Sequence, residues 1–308
     1  ERIARLAAHV KETIRYEAVE VGIGGYLPTP AEETLARGWG DCKDMSELLR
    51  ELLRAVGVRA HLALVRAGHG ARLDPDLPNL LMFNHCVVVV PDPGSAAPGE
   101  AGCLFIDPTV KRGGPLWLSA FIQGNEALLA AGDESRLVRV PVRHDEEGRE
   151  LLLEGRVGRD GRFVGRAVLR YLGGRALPWL RDLESTDPRQ IDESVRRVLQ
   201  HMIPGARLAG VGWREVGGAV PAVRLEAAVE LSDFARPTSR GLRLRPAMLL
   251  ALPAPRSLDE RVEPVALRPG LHRTRWTVTT PRGWCPPQPD EHESANSTGF
   301  VRLASGSD

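Results

Sequence analysis

Met45, Leu48, Leu49, Leu52, Leu53 and Val56 recur at three- and four-residue spacing with charged residues between them, which predicts an amphipathic helix over 42–56. Asp41 is its expected N-cap and Gly57 its stop: a short acidic side chain satisfies orphan N–H groups, and glycine takes the left-handed turn that ends a helix. A similar stripe, Ile3, Ala4, Leu6, Ala7, Val10 and Ile14, predicts a helix over 2–15. Strand patterns follow at 59–66, at Phe83 to Val90 ending at Pro91, and at Leu104 to Thr109, with a further helix expected from Asn125 to Ala131. The stretches 17–40, 67–79 and 91–102 carry glycine, proline and polar residues and read as loops of the kind that wall a substrate cleft.

Near Pro141 the pattern changes. Leu151 to Val157 and Phe163 to Tyr171 alternate as strands, and Arg159-Asp160-Gly161-Arg162 between them carries a hairpin signal. A helix is expected at Ile191 to Met202, then strands at Gly210 to Glu215, Ala222 to Leu231 and Arg275 to Thr280. The tail from Cys285 to Asp308 offers little to bury beyond one possible strand at Gly299 to Leu303. These patterns predict an α+β fold. A helix packs on an antiparallel sheet over 1–140, and an antiparallel, sandwich-like β-rich unit with a poorly structured tail covers 141–308.

Composition narrows the function classes. At 308 residues and 43% hydrophobic the chain can build real cores, and no apolar run approaches the ~18 residues that span a bilayer. A net charge of +1, from 41 basic and 40 acidic residues, gives no electrostatic reason to expect nucleic acid. Only Lys11, Lys43 and Lys111 are lysines; the arginine excess reads as the habit of a GC-rich genome. The four cysteines, at 42, 86, 103 and 285, form neither a metal spacing nor a disulfide framework. Cys86 and Cys103 flank neighbouring strands and are read either as buried thiols or as a pair. The chain opens on Glu1 inside a helix without an initiator methionine, as a processed or excised fragment does, so localisation stays open.

A thiol on the first turn of a helix faces unpaired N–H groups and the positive end of the dipole, which favour the nucleophilic thiolate. Cys42 stands there; His85 follows 43 residues later on one strand and Asp107 another 22 residues on at the end of the next. A thiol, an imidazole and a carboxylate in that order suit a nucleophile, its base and the group that orients the base. Taken singly, each has a plainer reading: a small core residue, a satisfied core histidine, a strand-ending Asp-Pro turn. If His85 faces the cleft, Asn84 and Cys86 point the other way, and Cys86 belongs to the core.

Ile14-Arg15-Tyr16, Gly22-Ile23-Gly24-Gly25-Tyr26, Pro28, Gly40-Asp41-Cys42-Lys43-Asp44, Phe83-Asn84-His85 and Asp107-Pro108-Thr109 occur in an order that resembles the transglutaminase-like superfamily of papain-type thiol enzymes. The likeness covers 1–125 and is greatest to bacterial members whose core is flanked by β-rich domains. It implies Cys42 as nucleophile, His85 as general base and acid, and Asp107 as the orienting carboxylate. The activity so implied is acyl transfer through a thioester, on a peptide, amide or peptide-like substrate, with no cofactor and no metal. The superfamily also holds inactive members, so a noncatalytic module that binds a protein or glycan is the alternative. Zinc held by Cys42, His85 and Asp107 is chemically possible but finds no support in the resemblance.

An oxyanion needs donors. The Cys42 N–H is one, and Tyr16, Tyr26 and Trp39 are candidates for the second and for the cleft wall. Lys43 and Asp44 follow on the first turn, either as plain solvated charges or, for Asp44, satisfying N–H groups or pairing an arginine. Gly22, Gly24 and Gly25 suggest a tight loop near the cleft and not a nucleotide fingerprint. His144, His201, His272 and His292 have no ligand-like spacing and read as surface residues.

Overall fold

The apolar stripe at the start of the chain forms α1 (Arg2–Thr13), followed by β1 (Arg15–Tyr16). A computed structural model describes residues 1–18, 22–68, 73, 79–91, 103–238, 241–244, 270–281, 290–296 and 299–305. The stretch expected as loop up to Gly40 contains a helix, α2 (Ala31–Arg37), before β2 (Trp39–Gly40), which pairs parallel to β1. The signals were local: Glu32 and Glu33 in the first turn favour the dipole, and Gly38 in the left-handed conformation ends the helix. Only Thr34 is buried on it, so no apolar stripe announced it.

α3 (Cys42–Ala55) buries Met45, Leu48, Leu49 and Leu53. Its sheet partners are β3 (His61–Val65), β4 (His85–Pro91), β5 (Cys103–Ile106), β6 (Glu126–Ala130) and β7 (Arg136–Arg139), in the order β5-β4-β3-β6-β7 with every neighbour antiparallel. One face of this sheet packs Val88, Val90 and Ile106 against Ala7, Val10, Ile14 and the α3 leucines. The other packs Val87, Val89 and Phe105 with Leu118, Ile122, Ala127 and Leu129. Burial on both faces is why β4 reads as an unbroken valine run.

The helix expected from Asn125 to Ala131 is instead strand β6. Its Glu-Ala-Leu-Leu-Ala favours helix by propensity, but Ala127 and Leu129 alternate inward against β3, and that packing overrides the preference.

The second sheet has the order β10-β11-β9-β8-β14, built from β8 (Gly148–Val157), β9 (Phe163–Leu172), β10 (Arg207–Val216), β11 (Ala222–Leu231) and β14 (Leu271–Thr279). Leu151, Leu153, Phe163, Leu169, Val223 and Leu225 on one face meet Leu180 of α4 (Leu177–Ser185) and Ile191, Val195 and Leu199 of α5 (Pro188–Met202). Helices therefore occupy much of the face that a sandwich would give to a second sheet, joined there by Phe234 and Ala235. The opposite face carries cross-strand ion pairs such as Arg170–Glu150 and Arg166–Glu226.

The expected all-antiparallel pairing also needs correction, because β14 runs parallel to β8. Parallel neighbours cannot be joined by a tight hairpin, and here β9, β10 and β11 lie between β8 and β14 in sequence; a strand's residue pattern does not encode its direction. Two hairpins complete the described elements: β12 (Ala235–Thr238) with β13 (Gly241–Leu244), and β15 (Asp290–Asn296) with β16 (Gly299–Ser305). The last contains the strand expected at 299–303; Cys285 lies outside the described residues. No helix among the described residues is long and apolar enough to cross a membrane.

The strand assignment of β6 has a direct test. Leu129 is buried and Leu128 only partly so. Leu129→Ala is expected to cost about 2–5 kcal/mol and Leu128→Ala less than half as much, measured by urea denaturation. Equal costs would contradict the alternation.

Candidate active site

The turn that opens α3 is held by a reciprocal cap. The Asp41 carboxylate accepts the N–H groups of Lys43 at 3.0 Å and Asp44 at 3.2 Å, and Asp44 Oδ2 accepts the Asp41 N–H at 3.2 Å. Asp44 also accepts the Thr29 N–H at 2.8 Å and pairs with Arg37 at 2.6 Å. Arg37 in turn donates to the Trp39 carbonyl at 2.7 Å and lies 4.0 Å over the Trp39 ring. Lys43 is buried and paired with Asp41. Of the two readings of this pair, plain solvated charge therefore fails: both side chains are spent on building the turn. Gly40 is needed for close approach, since a Cβ there would lie 2.7 Å from Asp44 Cβ.

With Asp41 taking Lys43 and Asp44 through its side chain and Met45 through its carbonyl, the N–H of Cys42 takes no hydrogen bond among the described residues. The Cys42 side chain is 8% exposed. One turn on, Ser46 donates to the Cys86 carbonyl at 3.0 Å, which locks α3 to the strand that begins with His85.

Strand register explains the approach of Asp107 to His85. Val88 pairs with Ile106, so extending the ladder by one residue sets Asp107 against Val87, on the same face as His85 and one diagonal step away. His85 Nε2 lies 2.9 Å from Asp107 Oδ2, and Cys42 is near enough to the imidazole to favour its protonated form. Asp107 Oδ1 accepts the Thr109 hydroxyl at 2.7 Å and the Thr109 N–H at 3.0 Å.

Burial alone would lower the pKa of His85; the hydrogen bonds and negative charge of Asp107 and Cys42 outweigh it and push the value up to about 10. Burial likewise opposes ionisation of Asp107, yet His85 and Thr109 hold it below the ordinary carboxylate range. Cys86, buried under the same helix, is pushed up by desolvation first and then by the neighbouring Cys42, so it stays a neutral core thiol. No disulfide joins it to Cys103.

The sequence-derived donors are placed unequally. Tyr16 pairs with Gly40 across β1–β2, beside the Asp41-Cys42 turn, and is 42% exposed. Trp39 lies in β2 under the Arg37 guanidinium. Tyr26 follows the short 3-10 turn Gly22–Gly25 and is 55% exposed, with no recorded contact to the α3 turn.

His201 is exposed as expected, whereas His272 is half-buried, and burial followed by Arg175 and Arg149 lowers its pKa to about 4. The side chains of His144 and His292 lie outside the described residues. A zinc site needs its ligand atoms to converge on one point, and no such group of His, Cys, Asp and Glu occurs among the described residues. Thr109, Ser46 and Arg37 were not read from the sequence as parts of the site. Only Thr109 had a signal, its place directly after Asp107-Pro108.

The helix whose first turn carries a cysteine, packed on an antiparallel sheet that presents a histidine and an aspartate, defines an α+β core of transglutaminase-like kind. Residues 1–87 match the family model described as the transglutaminase-like superfamily core; Cys42 and His85 fall inside the match and Asp107 beyond it. No curated protein matches the chain. Among solved structures, a candidate protease from Parabacteroides distasonis is similar at 13% identity and a TM-score of 0.36, over 74% of this chain and 45% of that one. This chain thus spans less than half the length of that protein.

The raised pKa of His85 sets a pH dependence. Its folded value of about 10 exceeds the ordinary 6.5, so its contribution to stability is complete below pH 6.5 and is lost as pH rises toward 10. Asp107→Asn removes a main support of the imidazolium while burial remains. The His85 resonances, followed by NMR, are expected to titrate several pH units lower in the variant, and its stability relative to wild type to recover between pH 6.5 and 10. An unchanged imidazole titration would contradict the pairing.

Proposed function

We propose that this chain is a thiol-dependent acyl-transfer enzyme acting on a peptide, amide or peptide-like substrate, with Cys42 as nucleophile, His85 as general base and acid, and Asp107 as the orienting carboxylate. The observation that carries the reading is the imidazole hydrogen-bonded to Asp107, with Asp107 and Cys42 both favouring its protonated form. Asp107 occupies Nε2, which leaves Nδ1 for the thiol. A protonated His85 beside Cys42 favours a thiolate–imidazolium pair.

The thiolate attacks the substrate carbonyl carbon, and the carbonyl π electrons move to oxygen. The unoccupied N–H of Cys42 supports that oxyanion from the helix terminus. Tyr16, brought beside the turn by β1–β2, is the better placed of the three candidates for the second donor. As the tetrahedral intermediate collapses, His85 gives its proton to the departing amine and a thioester remains on Cys42. His85, now neutral, takes a proton from water or from an acceptor amine, whose attack releases the acyl group and restores the thiol pair. Asp107 holds the ring in the required orientation throughout. In this reading residues 1–140 form the acyl-transfer core and 141–308 a second unit, an organisation supported by the separate hydrophobic clusters of the two sheets.

The test is iodoacetamide alkylation of Cys42 across pH, read by peptide mass spectrometry. At pH 6 an ordinary thiol is ionised to well under ~1%. Wild-type Cys42 is therefore expected to label at least about tenfold faster than in His85→Ala at that pH, with Cys86 as the unreactive internal reference. Labelling no faster than an ordinary thiol and indifferent to His85 would overturn the reading and favour a noncatalytic transglutaminase-like module that binds a protein or glycan.

A further inference from the structure

Only three of the 41 basic residues are lysines, and all three lie in the first 111 residues. Lys43 pairs with Asp41 in the nucleophile turn, and Lys111 donates to the Ile14 carbonyl at 2.9 Å. Lys11 is the unexpected one. It sits on the inner face of α1, 5% exposed, and its ammonium donates to the Gly114 carbonyl at 3.3 Å and lies in the field of Asp107.

The buried charges around Cys42 pair off one by one: Asp41 with Lys43, and Asp44 with Arg37. What remains in the proposed resting state is Asp107, the Cys42 thiolate and the His85 imidazolium, which leaves one uncompensated negative charge in a buried site. Uncompensated buried charge is costly, so a second cation is required. Lys11 is the buried ammonium in position to supply it. It also holds the segment after Asp107, because Gly114, whose carbonyl it binds, donates its own N–H to Ala219 at 2.7 Å.

We infer that Lys11 is a positioning residue of this site: its buried ammonium anchors the 107–114 segment that begins with Asp107 and adds positive charge beside the thiolate–imidazolium pair. The inference rests on the acyl-transfer reading for its catalytic consequence, but the Lys11–Asp107 coupling stands independently of it. The groups that bear on Lys11 are Asp107 directly, and His85 and Cys42 through it. Burial lowers the Lys11 pKa to about 8, with Asp107 opposing that drop. Lys11 is thus mostly protonated at neutral pH and loses its charge in mildly alkaline solution.

Two measurements test this. In wild-type protein labelled with 13C at lysine Cε, one of the three lysine resonances is expected to titrate near 8, and Asp107→Asn is expected to lower that value by a pH unit or more. An unmoved Lys11 titration overturns the coupling whether or not the chain is an enzyme. In the alkylation assay, Lys11→Met is expected to shift the low-pH limb of Cys42 labelling upward by about one pH unit, so that labelling on that limb slows about tenfold. Lys11→Arg, which keeps the charge, is expected to hold the wild-type limb. A merely structural lysine would alter stability and leave the limb in place, and that result overturns the positioning role. If wild-type labelling proves indifferent to His85, the acyl-transfer reading fails by itself, and the lysine titration still decides the coupling.

Discussion

The rest of the site depends on the cap that Asp41 places on α3. A helix terminus offers more N–H donors than it has partners, and which of them are satisfied decides what the terminus can do. Asp41 takes the N–H groups of Lys43 and Asp44 and leaves that of Cys42 open, so the cap that stabilises the helix also reserves one donor beside the thiol. The same turn is clamped from outside by Arg37, which joins Asp44 to Trp39, and by the short β1–β2 pair. Apart from the β1–β2 pair, these contacts join residues close in sequence, which is why most of the turn is specified locally.

The sheet then supplies what local sequence cannot. α3 must meet β4 in one register for Cys42 to reach His85, and the Ser46–Cys86 hydrogen bond and the shared core of Leu48, Leu49, Val88 and Ile106 set that register. A slip of one residue in β4 would exchange His85 for Cys86 on the site face. Burial favours the neutral form of both His85 and Asp107, and only their mutual contact, with Thr109 and Cys42, reverses this. The ionised forms of His85 and Asp107 therefore depend on the β4–β5 register that brings the two groups together.

That hierarchy explains what was legible in the sequence. α3, its cap and its stop could be read because a strong helical stripe is bracketed by capping residues, and β4 because a valine run has few other uses. His85 and Asp107 were legible as residues in an order, and the diagonal contact between them follows from register. α2 was missed because it buries almost nothing, and β6 was read as helix because alanine and leucine carry helical propensity wherever they stand. The direction of β14 and the helices covering the second sheet were hidden for a related reason: residue patterns report burial, not what does the burying. Lys11 was visible only as a rare residue type, since its depth depends on how α1 lies against the segment after Asp107.

The position of Asp107 bears on how the two halves of the chain cooperate. It lies beyond the part of the chain that matches the family model, at the start of a segment whose next residues are held by both halves. Arg112 bonds Glu184 on α4 and Glu215 on β10, and Gly114 bonds Ala219 between β10 and β11. Asp107, hydrogen-bonded to His85, thus starts a segment tied to the first sheet at one end and to α4, β10 and the β10–β11 turn at the other. A disturbance of the β10–β11 hairpin has a short covalent path to Asp107, five to seven residues long, and a rigid one. The second sheet thus bears on Asp107 without touching it: it fixes the far end of the segment on which that carboxylate is mounted.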